Sequence, residues 1–165
     1  MIVVAIIGIL AAVGIPSFMH YVDDSKLSEA RDNLRTIADN AVTYYHTEHF
    51  FGVNGTNKTD GRYPGCQEGD NVAPVDCGAA AAKTYTTLHP GFKMSGRSVD
   101  WNVQPWIRLG FRVDAAMYYG YDYTTTNRTR AFTATATAKF DAKKTSKFSI
   151  TGNENGELSS LREEE

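Results

Sequence analysis

The chain opens with fifteen residues, MIVVAIIGILAAVGI, that carry no charge and no hydrogen-bonding side chain. Pro16 and Ser17 follow, and a polar stretch with helical periodicity begins without an intervening loop. Leu27, Ala30, Leu34, Ile37, Ala38, Ala41, Val42 and Tyr45 recur at three- and four-residue steps, the period of an amphipathic helix. Asp24, Lys26, Arg31, Asp32, Arg35 and Asp39 occupy the opposite face. No Gly or Pro interrupts residues 17–51. The pattern predicts one helix from Met1 to about Phe51, up to roughly 75 Å long at about 1.5 Å per residue. Pro16 lacks an amide hydrogen and its ring crowds the preceding turn, which predicts a kink there. Gly8 and Gly14 each weaken the apolar half by about 1 kcal/mol relative to Ala. That half is the soft part of the helix.

Residues 52–82 are rich in Gly, Pro and Asp and read as loop, with a short helix around Ala79–Lys83. Four strand-like runs follow: WIRLGFRV (106–113), YYGYDYTTT (118–126), AFTATATAKF (131–140) and KFSITG (147–152). Their connections are short, and parallel neighbours would need a long crossover, so the strands form an antiparallel meander. Its apolar face, with Ile107, Leu109, Phe111 and Val113 on the first strand, needs cover. Leu27, Leu34, Ile37, Ala38, Ala41 and Tyr45 on the helix supply it. The fold class is α+β: a long N-terminal helix packed on a four-stranded antiparallel sheet. Residues 1–24 form a hydrophobic stalk, residues 25–165 a globular head, and the polar tail SSLREEE frays.

The apolar run is slightly short for a spanning helix, which needs about 20 residues. Continued through Met19 it gives roughly 28 Å, close to a hydrocarbon core of about 30 Å. A secretory signal peptide should open on a basic region, whereas the first Lys is Lys26. The core helix of a soluble protein is the other alternative.

The segment MIVVAIIGILAAVGIPSF resembles the N-terminal segment of type IV pilins, whose mature chains typically begin F-T-L-I-E-L and continue M-I-V-V-A-I-I-G-I-L-A-A. The likeness covers about the first eighteen residues nearly word for word; beyond residue 53 it is one of architecture. The F-T-L-I-E-L segment lies outside this sequence. With it goes the glutamate, two positions before Met1, that the family associates with subunit registry. The resemblance implies a structural subunit rather than an enzyme. Ile2, Val3, Val4, Ile6, Ile7, Ile9, Leu10, Val13 and Ile15 would be membrane anchor first and filament core afterwards. Gly8, Gly14 and Pro16 would mark the stretch that unwinds on assembly. The implied partners are other copies of the chain, the bacterial inner membrane before assembly, a prepilin peptidase, an assembly ATPase and a platform protein. The implied location is the inner membrane and then a pilus outside the cell, serving adhesion, motility or DNA uptake. A pseudopilin of type II secretion shares the same motif. A membrane-anchored binding module or enzyme is a reading of a different class.

Composition adds little to this. Of 165 residues, 42% are apolar and 22% charged, as in an ordinary globular chain. The net charge of −2 hides a basic middle, +7 over residues 83–147, between acidic ends. Such a distribution suits head-to-tail association and equally suits a solvated surface. Cys66 and Cys77 sit in PGCQEGDNVAPVDCG, with no His or Cys beside them at zinc-finger spacing. Below a membrane anchor they read as a disulfide closing a loop in an oxidising compartment; two free thiols are the alternative.

Other candidate chemistry is thin. His46 and His49 lie three apart with Glu48 between, but no third ligand is suggested, and a solvated helix end accounts for them. GNENG (152–156) resembles a calcium-friendly turn without the acidic spacing of an EF-hand, and a hairpin turn is preferred. Asn54, Asn57 and Asn127 fit N-x-[ST]. Arg128, Arg130, Lys139, Lys143, Lys144 and Lys147 offer positive charge for nucleic-acid phosphates or for edge protection. Tyr44, Tyr45, Phe50 and Phe51, with Tyr118, Tyr119, Tyr121 and Tyr123, read as packing between helix end and sheet. No cofactor, no metal and no catalytic residue is expected.

Overall fold

A computed structural model describes residues 2–47, 49–51, 57–59, 61–69, 72–77, 93–96, 99–126, 128–140 and 145–164. The elements in chain order are α1 (Ile2–His46), β1 (His49–Phe51), β2 (Asn57–Thr59), β3 (Gln67–Gly69), β4 (Val72–Val75), β5 (Met94–Ser95), α2 (Trp106–Leu109), β6 (Ala116–Met117), β7 (Gly120–Thr126), β8 (Ala131–Lys139), β9 (Thr145–Gly152) and β10 (Arg162–Glu164). The main sheet is antiparallel and four-stranded, in the order β10-β9-β8-β7. Three small two-stranded ribbons, β1-β2, β3-β4 and β5-β6, accompany it.

α1 runs unbroken through Pro16 for 45 residues. It stops at His46, short of the expected Phe51, and His49–Phe51 form a strand instead. Across β8, Phe132, Ala134, Ala136 and Ala138 are buried and the alternating Thr133, Thr135 and Thr137 face the other way, the period of a half-buried strand. Alanines of β8 (Ala134, Ala136, Ala138) and of α1 (Ala30, Ala38, Ala41) share one buried core. Leu34 and Ile37 from the helix, with Phe148 and Ile150 from β9, complete this layer.

Two expectations about the sheet are corrected. Residues 106–113 are not a strand. Trp106–Leu109 make one helical turn, and Gly110, at φ 58, ends it with its amide on the Ile107 carbonyl. Trp106 and Leu109 go inward while Ile107 is exposed, a spacing of three where a strand would bury every second residue. Pro105 ahead of the turn and glycine after it suit a short helix. Trp101, Trp106 and Phe111 form an edge-on aromatic cluster that reaches the sheet through Phe111–Tyr121, 5.4 Å between ring centres.

The fourth strand is the C-terminal tail, which was expected to fray. Arg162 pairs with Ser149 and Glu164 with Lys147 along the open edge of β9. Leu161 packs against the core, and Glu163 meets Arg31 of α1 at 3.5 Å. The tail is ordered by the edge that receives it.

The Cys66–Cys77 bond closes the loop between them, and Cys77 fastens that loop to the C-terminal end of β7. The Thr125 amide donates to the Cys77 carbonyl at 3.1 Å, and the Cys77 amide donates to Thr125 Oγ1 at 2.7 Å. The Asp76 carboxylate accepts the amides of Arg128 and Thr129, whose φ angles are 58 and 61. A β-branched residue rarely adopts that conformation. Here Asp76 from below and the Tyr63 amide on the Thr129 carbonyl hold it. The helix expected around Ala79–Lys83 lies outside the described residues.

Candidate assembly helix

The site is α1 itself, whose two halves have opposite surroundings. From Ile2 to Met19 the large apolar side chains are all exposed, Ile2 by 79% and Val13 by 72%. Ile2, Val3, Val4, Ile6, Ile7, Ile9, Leu10, Val13 and Ile15 therefore lie together on an exposed length of helix, outside the buried core. A Cβ built at Gly8 or Gly14 meets no atom within 4 Å. The segment is long and apolar enough to cross a membrane, and none of it is buried in the protein. Pro16 lies within its last third.

The second half is the spine of the head. Leu34, Ile37, Ala38 and Ala41 are fully buried, and Leu27 and Tyr45 are half-buried against the core. Polar side chains fix the helix at three levels. Near the start of this half, the Glu29 carboxylate accepts the backbone amides of Tyr118 at 2.8 Å and Tyr119 at 3.3 Å. One turn on, Asn33 Nδ2 donates to Tyr121 Oη at 2.6 Å. At the C-terminal end, Tyr45 Oη donates to the Glu154 carbonyl at 2.6 Å. Arg31 adds a guanidinium over the Phe148 ring, 5.5 Å from its centre.

Burial sets the ionisation of the phenols that seat the helix. It pushes Tyr121 well above the usual phenol range, with the Asn33 hydrogen bond acting against it. Tyr63 is pushed up to about 12, by burial first and by proximity to Tyr45 second. Tyr119 is raised by burial, with its Ser146 hydrogen bond opposing. All three are neutral donors or acceptors at physiological pH.

In the turn Asn153–Glu157 the Asn153 oxygens are spent on the chain itself. Asn153 Oδ1 accepts the amides of Asn155 and Glu157, and the Asn153 carbonyl accepts the Tyr63 hydroxyl at 2.7 Å. The four described residues of the six considered for phosphate contact do not make one patch. Arg128 and Arg130 precede β8, Lys139 ends it, and Lys147 lies beside Thr137. A nine-residue strand separates the two ends by about 30 Å. Lys143 and Lys144 lie outside the described residues, as do Asn54, Asn127, His89 and the side chains of Asn57, His20, His49, Phe50 and Phe51. His46 is exposed at the helix end. Among the described residues no group of three or more His, Cys, Asp or Glu side chains could hold a metal ion.

Sequence reasoning missed Glu29, Asn33, Tyr63 and Asp76. The first two sit where a solvated helix face would also place a polar residue, and their partners are 88 to 90 residues away. Comparison of the chain with protein-family profiles, with curated proteins and with solved structures returns no match.

Proposed function

We propose that this chain is a filament subunit of the type IV pilin kind. It is held in a membrane by the first half of α1 and polymerises when that half moves from lipid into a core of like helices. One observation carries the reading: a single helix is bare and apolar from Ile2 to Met19 and is the buried spine of the head from Ala30 to Tyr44. Lipid and neighbouring helices are both apolar surroundings, so one surface serves before and after assembly. Gly8, Ala11, Ala12 and Gly14 are small enough for close helix approach. The disulfide agrees with an oxidising location on the far side of that membrane. On this reading the Gly8–Pro16 stretch unwinds locally in the filament, because two glycines and a proline lower the cost of losing helix there.

The test is electron microscopy of fibres sheared from expressing cells, with mass spectrometry of their subunit. Fibres made of this chain support the reading. A chain that remains a dispersed membrane monomer under conditions where the assembly machinery is active overturns it. Loss of protein export without loss of surface fibres moves it to the pseudopilin class.

A further inference from the structure

Where α1 leaves the head, four side chains from four parts of the sequence converge. Lys26 Nζ lies 5.6 Å from the centre of the Tyr118 ring and 5.4 Å from that of Phe140. Lys93 Nζ lies over Tyr118 at 4.6 Å. Tyr118 and Phe140 are 6.4 Å apart. Lys93 is exposed, while Lys26, Tyr118 and Phe140 are half-buried. The Glu29 carboxylate next to this group is turned inward onto the Tyr118 and Tyr119 amides. Lys139 and Lys147 lie at the same end of the sheet. Against these cations stand Asp24, which is exposed, and Asp23, which precedes it in the sequence. The Arg31–Glu163 pair is neutral as a unit.

The position of this cluster along the helix is what gives it meaning. The exposed apolar run of the stalk ends at Met19. Lys26 is seven residues further on, about 10 Å along the axis. A bilayer of about 30 Å hydrocarbon and about 40–45 Å in all leaves roughly 5–8 Å of headgroup layer on each side. Lys26 therefore stands at the outer edge of that layer when the apolar half spans a membrane, and its long side chain, tilted toward the helix N-terminus, reaches back into it. Amphipathic rings and lysines with long apolar stems are the residues that settle in that layer.

We infer that this base of the head, formed by Lys26, Lys93, Tyr118 and Phe140, is a docking surface for anionic phospholipid headgroups. The inference rests on the membrane-anchored reading above and adds to it a seat for the head. The Tyr118 ring gathers both ammonium groups to one place at the base of the head. The Glu29 carboxylate is turned onto the Tyr118 and Tyr119 amides, and its charge, with those of Asp23 and Asp24, is set against four lysines at this end, Lys26, Lys93, Lys139 and Lys147. Docking would set the tilt of the head against the membrane while the subunit waits to be assembled.

The experiment uses the full chain reconstituted into vesicles of phosphatidylcholine, or of phosphatidylcholine and phosphatidylglycerol at about 3:1. A neutral acetylating reagent labels lysines, and mass spectrometry reads the labelling rates of Lys26 and Lys93 in the two kinds of vesicle. Labelling of both base lysines should be about fivefold slower in the anionic vesicles, the equivalent of about 1 kcal/mol for a lysine near an anionic surface. About 0.5 M NaCl should restore it. Lys93→Glu and Tyr118→Ala should each abolish the protection of Lys26. Equal labelling in the two vesicles overturns the inference, as does equal protection by free inorganic phosphate in neutral vesicles. Alkaline extraction separates the two levels of failure. A chain that stays in the vesicles but shows no lipid dependence overturns the docking surface alone; a chain that washes out removes the membrane premise and the inference with it.

Discussion

Gly152→Ala tests how tightly the far end of α1 is fastened to the sheet. Gly152 closes β9, and a Cβ built there would stand 2.2 Å from Phe132 Cε1, 2.6 Å from Phe132 Cδ1 and 2.8 Å from Tyr63 Oη. The Phe132 ring cannot simply swing aside. It is stacked on Tyr123 at 5.4 Å and meets Tyr63 edge-on at 4.7 Å. Tyr63 in turn is held by the Asn153 carbonyl. Overpacking a filled core costs about 1–3 kcal/mol, and a ring confined on two sides puts this site near the upper end. For a head of this size that is a fall of roughly 10 °C in Tm. The assay is thermal unfolding of the full chain in detergent, followed by near-ultraviolet circular dichroism of the core aromatics. Gly110→Ala is the contrast, since its Cβ meets nothing but its φ is 58, and strain alone should cost about 1 kcal/mol. Phe132→Leu combined with Gly152→Ala should recover part of the loss. A Gly152→Ala protein that melts with the parent would refute the packing argument.

Three further outcomes follow from the same contacts. Deleting residues 1–18 should leave a soluble, monomeric, folded head, because every buried apolar side chain lies at Ala30 or beyond; a deletion product without near-ultraviolet dichroism would contradict the division of the helix. Native unreduced protein should take up no thiol reagent at Cys66 or Cys77, and reduction should lower stability by about 3 kcal/mol or less; labelling at one thiol per chain would be incompatible with the bond. Stability should fall between pH 10 and 12, because the unfolded chain ionises its tyrosines near 10 while Tyr63 holds its proton to about 12. The folded state then binds more protons than the unfolded one, and each such tyrosine contributes a loss of about 1.4 kcal/mol per pH unit. Tyrosinate absorbance that rises well before unfolding would contradict the burial of these phenols.

What the sequence made legible were the elements whose period is long and unambiguous. The second half of α1 shows the helical step over five turns, and β8 alternates for nine residues, so both were readable from the pattern. Residues 106–113 were not, because WIRLGFRV alternates like a strand, while of the turn Trp106–Leu109 only the two end residues, three apart, go inward. The decision was made by Pro105 and Gly110 on either side and by the aromatic cluster that draws Trp106 inward. β10 could not be read at all. Arg-Glu-Glu has no preference for a strand, and its order comes from the edge of β9 and from Arg31, neither of which is local. The candidate site divides in the same way. Its apolar surface is written in consecutive residues, whereas the polar fastenings Glu29, Asn33 and Tyr45 have meaning only through partners about 90 to 110 residues away.

That division bears on how the two halves of the helix act together. Eleven large apolar side chains from Ile2 to Met19 stand exposed. Burying each such side chain is worth about 1.5–3 kcal/mol, so together they hold roughly 15–30 kcal/mol of drive out of water. A whole domain is stable by only about 5–15 kcal/mol. The bare stalk is therefore the largest free-energy term of this subunit outside its folded core, and it cannot be met by the head, whose core is already filled. On the proposed filament reading, lipid and a bundle of like helices would satisfy it about equally, so transfer between them would be nearly neutral for the apolar surface itself. The balance would then rest on smaller terms: close approach at Gly8, Ala11, Ala12 and Gly14, and contacts between heads. Because Glu29, Asn33 and Tyr45 fix the helix to the head at three levels, a displacement of the stalk would on that reading be carried to the head, with the stretch around Pro16 as the softest part of the helix.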